Sequence, residues 1–296
     1  WGRPQTSSGP VRLAGPRAAA FGDSIGVAAF AVLFTPIALH KLLTVTDRNQ
    51  RILYFISTIL LAVMIIFTQS RGGFLGLAAS ILYLFWRTPK KKALISGFFV
   101  ILLFASPFLS GQYLDRISSI SSQEEERDVS AASRLVLWNA GWLVFTDNPF
   151  FGVGILNYAK AKMPYRYALE RKFDGDLLDY SFRGFKVGHS TWFCQMLAEG
   201  GLFLAIPYLW LIFGFFWRAL RVARARPPSE SNKGLYSLLI GIEAGVFGYC
   251  ISISFIDGLF SSFLPTQIVL GMQLIKFIMG EGENVQISKQ KGIVQE

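Results

Sequence analysis

Residues 52–86 read ILYFISTILLAVMIIFTQS, then Arg71, then GGFLGLAASILYLFW. The first run is 19 residues without a charge, and the second is 15. A helix that crosses a bilayer takes about 20 apolar residues. This stretch therefore reads as two spans joined by a turn at Arg71. Working outward, Ser24–Leu39, Ala93–Leu109, Gly200–Trp217 and Gly258–Ile275 carry no charge, and Gly234–Ile256 carries only Glu243. A soluble core accommodates one or two such runs. Seven in one chain predict an all-α, polytopic transmembrane helical bundle of about seven spans.

Composition agrees. Hydrophobic residues make up 52% of the 296 and charged residues 16%, against about 25% charged in soluble domains. Disordered chains are apolar-poor, so disorder is excluded. The formal charge of +10 raises the question of nucleic acid. The placement of the charges answers it. The loops His40–Arg51, Arg87–Lys92 and Arg218–Lys233 together carry the whole net charge. Seven spans put all three on one side, which the bias of Lys and Arg makes cytoplasmic. The basic balance thus reports orientation, and no nucleic-acid partner is expected. Two cysteines in apolar surroundings, Cys194 and Cys250, suggest neither a disulfide framework nor a zinc cluster.

The resulting layout is an outer-side loop over 1–23, four spans over 24–109, an outer loop over 110–190, three spans over 191–279, and a cytoplasmic tail over 280–296. The chain begins at Trp1 in a Pro-, Gly- and Arg-rich segment and reads as a fragment lacking upstream spans. In the large loop, Ser118–Asp128 reads as solvated. Ser130–Thr146 reads as a helix with Leu135, Trp138, Trp142 and Phe145 on an apolar stripe. Asp147-Asn148-Pro149 stops it, and Gly152-Val153-Gly154 reads as a flexible turn. Tyr158–Leu169 suggests a second amphipathic helix and Asp174–Arg183 an irregular polar stretch.

Few residues suit chemistry, and each has a structural alternative. Arg71, at the edge of hydrocarbon, either snorkels or faces a polar cavity. Arg134 either rests on Trp138 or clamps an anion with its fork of donors. His189 closes the outer loop and is either a structural residue or a general base. His40, in a basic cytoplasmic loop, reads as structural. Glu199 follows His189 by ten residues and reads as a cap or tether for the loop. Glu243 and Asp257 are intramembrane acids, either proton sites or partners of an Arg. Asp174-Gly175-Asp176 is a weak metal signal. No nucleotide loop, nucleophile elbow or zinc spacing occurs, so no metal and no cofactor are expected.

Three segments together resemble the O-antigen ligase/polymerase family of bacterial envelope proteins. They are Gln69-Ser70-Arg71-Gly72-Gly73; Ser133-Arg134-Leu135 through Trp138 with Asn148-Pro149-Phe150-Phe151-Gly152-Val153-Gly154; and His189-Ser190 through Gln195 with Leu197-Ala198-Glu199-Gly200-Gly201-Leu202. Ser190 departs from the family's usual Asn and is similar to the subgroup associated with exosortase systems, the O-glycosylation ligases. The resemblance implies a metal-independent, inverting glycosyltransferase of the inner membrane with its site at the periplasmic face. The donor would be an undecaprenyl-diphosphate-linked glycan, and the acceptor lipid A core, a growing glycan or protein. Arg71 and Arg134 match the arginines that bind the diphosphate, and His189 the proposed base. Gln195, Glu199 and Asp257 join them as supporting residues. A polymerase using the same donor stays open beside the ligase. A transporter coupled through Glu243 or Asp257 is the reading from another class.

Overall fold

The computed structural model describes residues 24–68, 70–88, 91, 124–182, 192–225, 227–229, 232–254 and 263–293. Within these are α1 (Ser24–Thr44), α2 (Arg48–Thr68), α3 (Arg71–Arg87), α4 (Glu124–Asp147), α5 (Tyr158–Ala161), α6 (Arg166–Leu169), α7 (Gly175–Phe182), α8 (Trp192–Ala225), α9 (Lys233–Ile253) and α10 (Phe263–Ile293), with a 3₁₀ turn at Met163–Tyr165. No strand occurs among the described residues.

Among the described residues, five helical segments are long and apolar enough to cross a membrane: Gly26–Thr44, Arg48–Thr68, Cys194–Ala225, Lys233–Ile253 and Phe263–Gly280. Gly72–Arg87 is a shorter apolar helix. The run Ala93–Leu109 lies outside the described residues. The helix starts are chemically marked. Asp47 Oδ2 accepts from Gln50 N at 2.9 Å and opens α2, and Ser70 Oγ accepts from Gly73 N at 3.1 Å and caps α3. Each side chain satisfies a donor that the first helical turn leaves unpaired.

α9 is the hub. It packs on α1, α3 and α10, and 78% of its apolar window is buried against 22% for α2 and for α8. Close approach explains the contacts with α1 and α3. A Cβ on Gly245 would enter the Leu33 carbonyl, and one on Gly248 would enter the Gly76 carbonyl and Ser80. Small residues let backbones meet where helix packing in lipid rests on van der Waals contact.

Polar groups at one end of this seam are matched. His40 is buried, with Nδ1 3.0 Å from Ser237 O. Lys41 Nζ donates to Gly234 O at 2.8 Å. Arg87 Nε and Nη2 reach Glu243 Oε2 and Oε1 at 2.8 and 3.0 Å, and Tyr83 Oη donates to Oε2 at 2.8 Å. Glu243 is thus paired with an arginine across α3 and α9, which is one of its two sequence readings.

Between α3 and α8 stands a small helical body built on α4. Several expectations change here. α4 begins at Glu124, so part of the stretch read as solvated is helical, and its acidic run lies at the positive end of the helix dipole. The buried face is Val136, Leu137, Ala140 and Val144, whereas Leu135 and Trp142 are exposed. Small Ala140 and Gly141 let neighbours approach, and of the bulky stripe Leu135 and Trp142 are left outside while Trp138 and Phe145 are half-buried. The expected helix Tyr158–Leu169 is broken into α5, the 3₁₀ turn and α6, because Pro164 supplies no backbone N–H. The stretch read as irregular contains α7. There Asp174 Oδ2 accepts from Asp176 N at 3.1 Å, and Leu178 and Phe182 pack on Val136, Ala140 and Leu169.

Candidate functional site

The centre of the candidate site is a break in α8. Gly201 has φ 60 and ψ −161 in the middle of the helix. This conformation is essentially open only to glycine. It frees backbone groups, and the turn after α4 takes them up. Leu202 N and Phe203 N donate to Pro149 O and Phe150 O at 2.8 and 3.0 Å, while Val153 N and Gly154 N donate to Ala198 O and Glu199 O at 2.9 Å each. The two segments therefore lock reciprocally. Gly152 (φ 63) completes the lock, since a Cβ there would enter the Ala198 and Glu199 carbonyls. The turn expected to be flexible is held at four points.

Glu199 sits beneath this lock, 1% exposed. Its Oε1 accepts from Tyr158 N at 3.3 Å and its Oε2 from Gln195 Nε2 at 3.3 Å, one helical turn earlier. The carboxylate ties the start of α5 to α8, in keeping with the tether reading. Tyr158 is itself 1% exposed and donates its hydroxyl to Leu137 O. It braces α5 against α4 and presents no open ring face. Tyr165 Oη donates to Asp147 Oδ2 at 2.6 Å, and this bond, ahead of a small desolvation effect, raises its pKa above the ordinary tyrosine value. Tyr167 is exposed.

Beside the lock, α4 and the first half of α8 enclose a groove of about 300 Å³ lined by Trp138, Trp142, Asn139, Phe145, Cys194 and Leu197. Trp138 Nε1 is buried with no hydrogen-bond acceptor among the described residues. Neither Asn139 nor Cys194 was read from sequence as part of a site. A tryptophan-flanked amide at i+1 is the only signal that marked the former, and helix pairing alone reveals the latter.

The remaining sequence candidates lie apart from this centre or outside the described residues. Arg134 is half-buried on α4, one turn before Trp138. Arg71 is the first residue of α3, directly after its Ser70 cap. His189 and Asp257 lie outside the described residues. The structure therefore brings Gln195 and Glu199 together under the turn 149–154. Among the described residues, no three His, Cys, Asp or Glu side chains converge in a metal-binding arrangement. Asp174 of the Asp-x-Asp sequence is engaged in starting α7.

The O-antigen ligase family model matches residues 56–209, more than half of the chain. The match runs from α2 through the lock into the second half of α8, so it includes all three motif segments. No curated protein matches the chain.

Proposed function

The chain belongs to the O-antigen ligase family, and we propose that it transfers a glycan from an undecaprenyl-diphosphate carrier to an acceptor hydroxyl, on lipid A core or protein, at the periplasmic face of the bacterial inner membrane. The family makes it a membrane glycosyltransferase; donor, acceptor and sidedness are our reading. In that reading the chain crosses the bilayer seven times, with Gly72–Arg87 and Ala93–Leu109 as the two further spans, and 110–190 is the periplasmic loop.

The chemistry follows from the leaving group. The acceptor oxygen forms a bond to the anomeric carbon, the bond from that carbon to the diphosphate oxygen breaks, and configuration inverts. Negative charge grows on the departing diphosphate. Arg71 and Arg134 offer planar forks of donors that match phosphate oxygens and stabilise this charge without a metal. The N-terminus of α3 behind Arg71 adds a positive dipole end in the same place. His189 takes the acceptor proton. Gln195 and Glu199 hold the turn that joins α4, which carries Arg134, to α8, which directly follows the His189 segment. Asp257 keeps its supporting role.

The observation that carries the reading is the lock. Two family motif segments, 149–154 and 198–203, are bonded reciprocally, so the Arg134 helix and the helix following His189 form one framework. The test is transfer by the full-length protein from a lipid-diphosphate glycan donor. Arg134→Ala and His189→Ala, each expressed and folded, should lose transfer, and wild-type rates would overturn the mechanism. Retained activity with chelator tests metal independence. Product analysis of a deletion strain separates the two donor-sharing activities. Loss of glycan from its acceptor with long lipid-linked chains retained supports the ligase, whereas loss of chain length points to a polymerase.

A further inference from the structure

The turn after α4 presents Phe150, Phe151, Ile155 and Leu156 outward, with Phe151 74% exposed. Four exposed apolar side chains in seven residues are unusual on a surface facing water. Leu156 also holds φ 63, a left-handed conformation that non-glycine residues seldom adopt. The backbone is thus kept strained at the point where it displays an apolar tip.

α8 shows where this tip sits. Phe203, Ile206, Trp210, Phe213 and Trp217 are all exposed and recur at helical spacing, forming one apolar stripe. At its lower end Arg218 and Arg221 lie over Trp210 and Trp217, 5.9 and 4.1 Å from the ring centroids. Arginines stacked on tryptophans at the end of such a stripe mark a membrane–water boundary. A helix rises ~1.5 Å per residue, so about 20 residues cross the ~30 Å hydrocarbon core. Counted back from Arg221, that length ends at Gly201. The other boundary therefore coincides with the break to which the turn is hydrogen-bonded. Phe151 and Phe203 confirm the continuity, with ring centroids 5.7 Å apart. A second exposed segment of the helical body is polar instead, with Arg171, Lys172, Asp174 and Asp176 exposed.

We infer that the turn 149–156 is an interfacial anchor whose Phe150, Phe151, Ile155 and Leu156 side chains insert into the lipid at the boundary opposite Arg218 and Arg221. The partner is the bilayer itself. The lock then transmits a fixed depth to α4, so the groove and Arg134 stand at a set height above the hydrocarbon. The inference rests on α8 crossing the membrane and is independent of the transfer chemistry.

The experiment uses the full chain in phosphatidylethanolamine/phosphatidylglycerol vesicles. Nitroxides are placed singly at Phe151→Cys and Ile155→Cys, with Cys194 and Cys250 replaced by alanine. Phe213→Cys serves as the lipid-facing reference and Lys172→Cys as the aqueous one. Labels at 151 and 155 should collide with oxygen several-fold more than with a water-soluble nickel complex, as at 213, and label 172 should show the reverse. Preference for nickel at 151 and 155 would place the turn in water and overturn the inference. Shielding from both reagents would make it a protein contact and do the same. The unmodified chain gives a second reading, free of any folding defect in the variants. A photoactivatable lipid should label the segment 150–156 and spare 170–176. Equal labelling of the two segments contradicts the anchor.

Discussion

Gly201→Ala is the sharpest probe of the architecture. At φ 60 and ψ −161 any side chain is strained, at a cost of about 1–3 kcal/mol. The new Cβ would also enter the Phe150 carbonyl and approach Gly152 N at 2.7 Å. The turn must move away to relieve this, and the nearest bonds, Leu202 N to Pro149 O and Phe203 N to Phe150 O, are the first lost. Each contributes roughly 0.5–1.5 kcal/mol net. A combined cost of about 3 kcal/mol corresponds to an opening of the lock about a hundredfold more frequent. Hydrogen exchange read by mass spectrometry should show the amides of Val153, Gly154, Leu202 and Phe203 exchanging faster by that factor, while those in the middle of α9 stay protected. Gly214→Ala in the same helix is the control, because a Cβ there meets nothing within 4 Å. Wild-type exchange in Gly201→Ala, or equal acceleration in Gly214→Ala, would refute the reasoning.

Arg87→Met leaves the Glu243 carboxylate buried with one arginine fewer and should cost about 3–5 kcal/mol, seen as a lower unfolding temperature in detergent. Pairing it with Glu243→Leu should recover most of the loss, and glycan transfer by the double variant should persist; abolished transfer would restore Glu243 as a functional acid. Glu199→Ala strips Tyr158 N of its acceptor and should destabilise the α5 junction by about 1–3 kcal/mol, whereas Glu199→Gln, which keeps an oxygen for that donor, should cost less; equal losses in urea titrations would show that the charge rather than the acceptor matters. Tyr165 has a raised pKa in the folded protein through its bond to Asp147. Its contribution is therefore complete below the unfolded tyrosine pKa of about 10 and is lost as pH rises through the folded value. Tyr165→Phe should remove that alkaline loss, measured as unfolding temperature between pH 9 and 11.

What the sequence made legible depended on the range of the interactions. Uncharged runs mark helices because the bilayer length is a local property of sequence, and α1, α2, α3 and α9 begin or end within a few residues of the runs that announced them. Glu243 offered two roles in sequence, and only the approach of α3 to α9 decides between them. α4 misled for a related reason. It is apolar on more than one face, so its Trp stripe gave the strongest period, while the buried face was chosen by the small side chains that fit against α7 and α8. α7 was missed because Asp174-Gly175-Asp176 resembles a loop, although one aspartate bond to the next turn starts a helix there. The break at Gly201 was the least legible feature. Gly200 and Gly201 simply open a charge-free run and close a motif segment in sequence, and only the matching glycine 49 positions earlier gives Gly201 a purpose.

The two buried carboxylates show how differently the same group is satisfied at the two ends of the molecule. Glu243 is 0% exposed among apolar helices and is held by a guanidinium and a phenol. A full countercharge is needed there, since neither water nor free backbone donors exist in a continuous span. Glu199 lies just before the helix break and accepts from Tyr158 N at the start of α5 and from the Gln195 side-chain amide instead. The Glu199 carboxylate is thus held by neutral donors, where Glu243 is held by an arginine and a tyrosine. The pairing makes a specific demand: replacing Glu199 by leucine should not change glycan transfer directly, but only through the turn it tethers.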